Sequence, residues 1–274
     1  MHNDRLIVVT GGGRGFGRVL AQELINSGAR VVITGRNKDV LNIATAELGK
    51  KASYHVFDVS DNDAVSAAFS DIVDKYGEID TLVNNAGVLG PVDFFWQSDI
   101  ASWCEAIDVN LKGTALCTHY ALQHMTTKKQ GKIVNIVSNA GAFRWPTCSS
   151  YSTSKAAIIK LTENLAVEVK QHNVDLFAYH PGLIHSDGMS INETTPPPEP
   201  GSTREKAFQW FLAERAAGRT VDAQTGAHPV ILLVSGKYHS LSGRYFTVFD
   251  NLDKLVSEHE KIKNGDLRTL RIRE

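Results

Sequence analysis

Two side chains in the middle of the chain, Tyr151 and Lys155, have the types and the spacing of a proton-transfer pair, and Ser138 precedes them. Residues four apart lie on the same face of a helix, so the ammonium of Lys155 is expected beside the phenol of Tyr151. A neighbouring positive charge favours the phenolate, and we expect Lys155 to lower the pKa of Tyr151 from its ordinary value of about 10 toward neutral pH. Tyr151 is therefore a candidate proton donor and acceptor.

A glycine-rich turn near the start of the chain has the composition of a phosphate-binding turn. Residues 10–17 read Thr-Gly-Gly-Gly-Arg-Gly-Phe-Gly and follow the apolar run Leu6–Val9. The glycines at 11, 15 and 17 do not fit Gly-x-Gly-x-x-Gly but a longer variant of it. Residues without Cβ let the backbone approach a pyrophosphate at a helix N-terminus, where free N–H groups favour anions. The turn alone is a weak signal, and its place between a strand and a helix is the context that a dinucleotide site requires.

The elements around these residues alternate between short β-branched runs and helical patterns. The predicted strands are Arg5–Thr10, Arg30–Thr34, Ser53–Phe57, Ile79–Val83, Lys132–Val137, Val174–Tyr179 and Arg244–Phe249. In the segment from Asn37 to Leu48, apolar residues recur at the period of a helix with one apolar face. Seven strands that alternate with such helices predict an α/β fold, a doubly wound parallel sheet with helices on both faces.

Composition limits the class of partner. The chain has 274 residues, of which 42% are hydrophobic and 22% charged, and its formal net charge is -1. These values are typical of one globular domain, and a nearly neutral chain without a block of like charge disfavours nucleic acid or an anionic membrane as the main partner. We therefore expect a small-molecule substrate, no nucleic acid and no membrane.

Cysteine, histidine and the N-terminus add three expectations. Cys104, Cys117 and Cys148 are far apart, which fits reduced thiols in the cytoplasm. The apolar stretch Leu6–Val9 is too short for a signal-peptide core or a membrane span. None of the histidines has a metal-ligand spacing, so no metal is expected.

Six features of the sequence occur together in the order and spacing of the short-chain dehydrogenase/reductase family. They are Thr10-Gly11-x-x-x-Gly15-x-Gly17, Asn84-Asn85-Ala86-Gly87, Asn110, Ser138, Tyr151-x-x-x-Lys155 and Pro181-Gly182. The chain resembles this family over roughly residues 5 to 250. The resemblance implies a Rossmann fold, a homo-oligomer (dimer or tetramer), and an NAD(P)-dependent oxidoreductase that moves a hydride between nicotinamide and a secondary alcohol or ketone.

The resemblance also assigns catalytic roles. It implies that Tyr151 exchanges a proton with the substrate oxygen while Ser138 donates a hydrogen bond to that oxygen. Lys155 is expected to bind the nicotinamide ribose and to depress the pKa of Tyr151. Asn110 is expected to hold a water that connects Lys155 with solvent.

A larger set of residues is expected to bind the cofactor. By the resemblance this set comprises Gly11, Gly13, Arg14, Gly15, Phe16, Gly17, Arg36, Asp58, Val59, Asn85, Ala86, Gly87, Tyr151, Lys155, Pro181, Gly182, Ile184 and Ser186. Within it, Asp58 is expected at the adenine ring, and Ile184 and Ser186 at the nicotinamide. The family more often has threonine where Ser186 stands, and serine retains the hydroxyl.

The end of the second strand bears on the choice of cofactor. An NAD site places an acid there for the ribose hydroxyl, whereas a 2′-phosphate needs Arg or Lys. The strand ends Ile33-Thr34-Gly35-Arg36 without an acid, and Arg14 lies in the nearby glycine turn. NADP(H) is therefore favoured over NAD(H), because a guanidinium offers a planar fork to a phosphate. The alternative is that both arginines are solvated surface residues.

The substrate pocket is expected beside the catalytic residues, at Asn139, Phe143 and Trp145, with Leu89 and Arg144 as further candidates. The aromatic side chains favour an apolar or ring-bearing substrate, and Arg144 could meet a carboxylate. These side chains could equally face a subunit interface.

The predicted domain spans 1–252 and contains a long connection at 183–215. This connection includes the proline run 194–201, followed by Phe208, Trp210 and Phe211, and we interpret it as a substrate lid. The tail at 253–274 is expected to belong to the same domain and to pack near the pocket or on a neighbouring subunit.

Three further readings remain open: a dinucleotide-binding regulatory protein without turnover, an NAD(H)-dependent alcohol dehydrogenase, and an enzyme that uses transient hydride transfer for epimerisation or dehydration. The complete set Asn110, Ser138, Tyr151 and Lys155 argues against the first of these.

Overall fold

A seven-stranded sheet forms the centre of the protein in a computed structural model, which describes residues 4–184 and 198–272. The strands are β1 Leu6–Thr10, β2 Arg30–Gly35, β3 Ala52–Val56, β4 Ile79–Asn84, β5 Gly131–Ile136, β6 Val174–His180 and β7 Tyr245–Thr247. Their order is β3-β2-β1-β4-β5-β6-β7, and all neighbouring pairs are parallel. The predicted doubly wound α/β fold is confirmed.

Helices connect the strands. The α-helices in the described ranges are α1 Gly15–Asn26, α2 Lys38–Leu48, α3 Asn62–Tyr76, α4 Ile100–Ile107, α5 Gly113–Lys128, α6 Ser149–Glu168, α7 Thr203–Ala216, α8 Ala223–Leu233, α9 Leu252–Ser257 and α10 His259–Asn264. A π-helical turn, Asp108–Lys112, joins α4 to α5. Asn37 caps α2, since its side chain accepts hydrogen bonds from the backbone N–H groups of Asp39 and Val40.

The sheet separates two hydrophobic cores because successive side chains of a strand point to opposite faces. In β1, Ile7 and Val9 pack with α1, α2 and α8 on one face. Leu6 and Val8 pack with α3 and α5 on the other face. Burial on both faces explains why the strands read as continuous β-branched runs.

The strand order places a crevice at the carboxyl end of β1. This strand lies between β2 and β4. The strands β2 and β3 follow on one side of it, and β4 to β7 follow on the other side, so the strand order changes direction next to β1. In open parallel sheets, ligands bind at such a switch point, at the carboxyl ends of the strands. The glycine turn follows β1 there, and the turn at Asn85 follows β4.

The connection at 183–215 differs in part from the predicted long loop. Residues 185–197 lie outside the described residues, but α7 occupies Thr203–Ala216 as a regular helix. Ser202 caps it by accepting a hydrogen bond from the N–H of Glu205, and the Glu205 carboxylate accepts one from the N–H of Gly201. These caps satisfy free N–H groups at the start of the helix.

The described part of the tail packs on its own chain. Leu255 and Ile262 are buried in the core that contains α1 and α8. Arg268 forms a two-pronged ion pair with Asp250, at 2.8 and 2.6 Å.

None of the helices in the described ranges combines the length and apolarity that a membrane span needs.

Candidate active site

The glycine turn is shaped by close contacts of its own backbone. Gly11 has a left-handed backbone conformation with φ of +66°, and a Cβ there would lie 2.9 Å from the Cα of Ala86. A Cβ on Gly17 would lie 2.4 Å from the carbonyl oxygen of Gly11. Neither position has room for a side chain, so glycine is required for the turn to fold tightly onto the start of α1.

Hydrogen bonds connect the ends of β1 and β4. The hydroxyl of Thr10 accepts from the backbone N–H groups of Asn85 and Ala86, both at 3.0 Å. The side-chain amide of Asn85 donates to the carbonyl oxygen of Thr10 at 3.0 Å. These bonds hold the Asn-Asn-Ala-Gly turn beside the glycine turn, so both turns form one wall of the crevice.

The start of α1 is suited to an anion. Its N-cap residue is Arg14, which makes no side-chain capping bond, whereas Asn37 caps α2 and Asp61 caps α3. The first N–H groups of α1 are therefore left without a side-chain acceptor, at the positive end of the helix dipole. A helix start of this kind binds phosphate groups well.

At the ends of β2 and β3, Arg36 and Asp58 form an ion pair, with 3.5 Å between Nη1 and Oδ2. The other carboxylate oxygen of Asp58 accepts from the N–H and the hydroxyl of Ser60. Burial raises the pKa of the Asp58 carboxyl, but the hydrogen bonds from Ser60 and the charge of Arg36 outweigh it and hold the pKa below its usual range. Arg36 is thus positioned at this edge by an acid from the neighbouring strand.

Tyr151 and Lys155 lie on α6, and both are buried. The Lys155 Nζ atom lies 5.6 Å from the centre of the Tyr151 ring and donates a 2.8 Å hydrogen bond to the carbonyl oxygen of Ile136, at the end of β5. Ser138, two residues beyond β5, forms a side-chain hydrogen bond with Tyr151. The structure therefore brings the three side chains together.

Burial dominates the electrostatics of this group. It raises the pKa of the Tyr151 phenol to about 12, against the lowering effect of the hydrogen bond with Ser138. Burial also lowers the pKa of the Lys155 ammonium to about 8. The prediction that Lys155 lowers the pKa of Tyr151 below its ordinary value is therefore wrong. Sequence spacing shows that the two groups are near each other, but the loss of water around the phenol has the larger effect.

Asn110 lies in the π-helical turn between α4 and α5 and is fully buried. Its side-chain oxygen accepts from the N–H of Val88, and its amide donates to the carbonyl oxygen of Val88 and to the hydroxyl of Ser154. A Cβ on Gly87 would lie 3.1 Å from this side-chain oxygen and 3.7 Å from Nζ of Lys155. Asn110 therefore fixes the turn after β4 against the helix that carries Tyr151 and Lys155.

One cavity of about 700 Å³ connects these groups. The sequence-predicted residues that line it are Gly11, Gly13, Arg14, Phe16, Gly17, Arg36, Asp58, Val59, Asn85, Ala86, Gly87, Leu89, Ser138, Asn139, Trp145, Tyr151, Lys155, Pro181, Gly182 and Ile184. The start of α1 and the Tyr151 group are thus parts of one site.

Several predicted site residues are not among the described residues that line the cavity. Gly15 is the first residue of α1, and Asn110 is buried behind the wall. Phe143 is 65% exposed and Arg144 is exposed as well, so the structure places both outside the cavity. Ser186 lies outside the described residues.

Trp210 and Phe211, which the sequence analysis assigned to the substrate lid, also line the cavity. On and after α7, the sequence analysis missed the lining residues Ala207, Glu214, Arg219 and Phe249. The capping pattern at Ser202 and Glu205 could have revealed α7, and the spacing of Ala207, Trp210, Phe211 and Glu214 could then have shown that they share a face. Within 4–184 and 198–272, no group of three His, Cys, Asp or Glu side chains could hold a metal ion.

Comparison with known proteins finds a family, relatives and a solved structure that resemble this chain. The family described as short chain dehydrogenase matches residues 5–196. Cis-4-hydroxycyclohexanecarboxylate dehydrogenase of Sinomonas cyclohexanicum is 32% identical, over 86% of this chain and 96% of that protein. The NAD(+)-dependent 2-dehydro-3-deoxy-L-rhamnonate dehydrogenase of a Sphingomonas species is 35% identical, over 66% of this chain and 73% of that protein. The crystal structure of a variant actinorhodin polyketide ketoreductase with NADPH covers 89% of this chain and 95% of its own, with a TM-score of 0.78 and 26% identity.

The chain belongs to the short-chain dehydrogenase/reductase family, as its motifs predicted. It is an oxidoreductase of a family that acts on CH–OH and C=O groups with nicotinamide cofactors.

Proposed function

We propose that the protein is an NADP(H)-dependent oxidoreductase that interconverts a secondary alcohol and a ketone, with Tyr151 as general acid and base. The observation that carries the proposal is that Tyr151, Ser138 and Lys155 line the same cavity as the uncapped start of α1. Hydride transfer needs a proton-transfer group beside a site for an anionic dinucleotide. The names of the relatives support this reaction class, since one of them is a dehydrogenase of the secondary alcohol cis-4-hydroxycyclohexanecarboxylate.

The cavity fits a dinucleotide along its length. The N–H groups at the start of α1 suit the pyrophosphate, and the turn at Asn85 to Gly87 suits the adenosine end. At the other end, Lys155, Gly182 and Ile184 line the wall next to Tyr151 and would hold the nicotinamide riboside. When bound, the nicotinamide supplies or accepts the hydride.

Arg36 supports the preference for NADP(H). No acid ends β2, and the guanidinium of Arg36 lies at the cavity wall in an ion pair with Asp58. Arg14 also lines the cavity and makes no ion pair within the described residues. Two arginines that line the cavity, one of them at the end of β2, favour a 2′-phosphate, which a fork of N–H donors binds well.

Tyr151 is the proton donor in ketone reduction. Because its pKa is raised to about 12, the phenol holds its proton at neutral pH. In reduction this proton passes from Oη to the substrate oxygen, and in oxidation it returns from the hydroxyl to Oη. The hydroxyl of Ser138, which already bonds Tyr151, donates to the same oxygen and stabilises the negative charge that develops there.

Lys155 and Asn110 support the proton transfer. Lys155 is charged below its pKa of about 8 and favours the phenolate that remains after Tyr151 has given up its proton. The side-chain oxygen and amide of Asn110 already bond Val88 and Ser154. Its main-chain carbonyl is therefore the group to which we assign the water that would carry protons between Lys155 and solvent.

A turnover screen of the purified protein tests this function. Ketones and secondary alcohols are supplied with NADPH, NADH, NADP⁺ and NAD⁺, and cofactor consumption is compared with the product formed. We expect one secondary alcohol per NADPH oxidised and a lower kcat/KM with NADH. Tight binding of NADPH without turnover of any carbonyl compound would support a regulatory dinucleotide-binding protein instead.

A further inference from the structure

One face of α7 is apolar except for Glu214 at its end, although the helix contributes nothing to the core. Ala207, Trp210, Phe211 and Glu214 recur at the spacing that places residues on one side of a helix, and all four line the cavity. None of the residues of α7, all of which the structure describes, is buried, and Trp210 is 42% exposed. In α8, by contrast, the corresponding apolar face is buried in the core. The apolar stripe of α7 thus faces the cavity rather than the protein interior.

An aromatic pair links this stripe to the proton donor. The rings of Trp145 and Trp210 meet edge to face, with 5.1 Å between their centres and an angle of 90°. Trp145 also packs against the buried cluster formed by Ala140, Cys148 and Tyr151. A group that contacts the two indole rings therefore lies next to the residue that exchanges the proton.

The charges on this side of the cavity neutralise each other. Arg219 follows α7, and its Nε and Nη2 atoms each donate a 2.7 Å hydrogen bond to the Glu214 carboxylate. Among the described residues, Glu214 and Arg219 are the charged side chains that α7 and the segment after it contribute to the cavity wall. Because the two opposite charges are paired, this part of the wall carries no net charge that would favour a charged substituent.

We propose that the α7 side of the cavity binds an uncharged hydrocarbon part of the substrate, an aromatic or alicyclic ring, against the edge-to-face pair of Trp145 and Trp210. This inference rests on the proposed function, since it places the reacting carbonyl of that substrate at Tyr151. Apolar surface that is left in water is covered most favourably by an apolar group, and aromatic side chains offer large contact areas to rings. The substrate class is thus an apolar ring-bearing ketone or alcohol rather than a keto acid.

Three methyl ketones test the proposal: 4-phenyl-2-butanone with an apolar ring, 4-oxopentanoate with a carboxylate, and 2-butanone with neither. Their binding to the NADP⁺ complex is measured by calorimetry, and their reduction with NADPH by steady-state kinetics. We expect the phenyl ketone to bind at least about tenfold more tightly than the other two, given the contact area of its ring.

Two substitutions make the test specific for Trp210. Trp210→Ala is expected to weaken binding of the phenyl ketone by about tenfold or more and that of 2-butanone by less than about twofold. Trp210→Phe should restore most of the affinity. Trp96→Ala is the matched control, because Trp96 is 77% exposed, stacks on Phe94, and does not line the cavity among the described residues. The affinity for NADPH reports whether each variant is folded.

The outcomes separate this inference from the proposed function. Tight binding through Trp210 without reduction would leave the inference standing and would count against the proposed reaction. Reduction of the phenyl ketone that Trp210→Ala does not affect would overturn the inference and leave the reaction standing. Preference for 4-oxopentanoate, or no binding of the phenyl ketone at all, would also overturn the inference.

Discussion

The two walls of the cavity differ in how the rest of the chain holds them. The wall at the strand ends carries Ser138, Tyr151 and Lys155, with Asn110 behind them, and all four are buried and hydrogen-bonded to neighbouring elements. The opposite wall is α7, which has no buried residue in its described length and contacts the other wall through Trp210 and Trp145.

This difference separates two tasks. Proton transfer needs groups held in fixed positions, and burial at the strand ends provides that. Substrate selection needs contact area, which a surface helix can change without disturbing the core. We therefore expect substitutions at the strand ends to act mainly on kcat, and substitutions on α7 to act mainly on substrate affinity.

The largest effect is expected from Tyr151→Phe, at the strand-end wall. The substitution removes the proton donor and little volume, so kcat should fall by about 10²–10⁴-fold, as is typical for a general acid. Tyr120→Phe is the matched control, because its hydroxyl bonds Asn62 at an exposed site. A Tyr151→Phe variant that retains more than half of the wild-type kcat would rule out the proposed role.

Arg36→Ala is expected to have the next largest effect, on the choice of cofactor. A hydrogen bond to a charged group contributes about 1.5–3 kcal/mol. The affinity for NADPH should therefore fall by roughly ten- to a hundredfold, toward the lower value because Arg36 is largely exposed. Binding of NADH should change little, and titration by fluorescence measures both.

Two further variants sharpen the cofactor test. Arg18→Ala is the control, since Arg18 pairs with Glu47 outside the cavity. Gly35→Asp combined with Arg36→Ala should move the preference toward NADH, and the nearest atom to a Cβ at position 35 would be Cδ2 of Leu41, at an ordinary contact distance of 3.6 Å. Unchanged NADPH binding in Arg36→Ala, or a wild type that prefers NADH, would show that Arg36 is only a solvated residue.

The pH profile of ketone reduction is expected to report Lys155. Tyr151 keeps its proton until about pH 12, whereas Lys155 loses its charge above its pKa of about 8. The value of kcat/KM should thus be constant near neutral pH and fall by about tenfold per pH unit well above pH 8, because one required proton is lost. A profile that stays level to pH 10 would show that the charge of Lys155 is not required.

The smallest effect is expected in the dynamics of α7, which we propose to be the described part of a substrate lid. A helix without buried residues should exchange its amide hydrogens faster than α6. NADP⁺ and 4-phenyl-2-butanone cannot react with each other, and together, each at about ten times its Kd, they should slow exchange in α7 by up to about tenfold. Helix α3, which lines no part of the cavity among the described residues, is the internal control. Equal exchange of α7 with and without the ligands would contradict the lid.

The strand-end wall could largely be predicted from the sequence. Its β-branched runs become buried strands, and Tyr151 and Lys155 lie four apart on one helix, so local patterns determine their placement. The pKa of Tyr151 could not be predicted, because burial depends on every element that packs around the phenol. The ion pair between Arg36 and Asp58 was missed as well, since it joins two neighbouring strands.

The wall formed by α7 was less predictable. A proline run suggested a loop, and the helix after it was recognised only as an aromatic cluster. The spacing from Ala207 to Glu214 indicates a shared helix face, but it does not indicate that this face lines the cavity, which the structure shows. Phe143 shows the converse error, because its position near Ser138 in sequence suggested a pocket residue that the structure places outside the cavity.

The most direct test of this account measures kcat and KM for 4-phenyl-2-butanone with NADPH in the wild type, Tyr151→Phe and Trp210→Ala. Tyr151→Phe should lose about 10²–10⁴-fold in kcat with little change in the affinity for the ketone. Trp210→Ala should raise KM by about tenfold and keep most of kcat. If both variants lose kcat alike, or if Tyr151→Phe turns over as the wild type does, the two walls do not divide chemistry and selection as proposed.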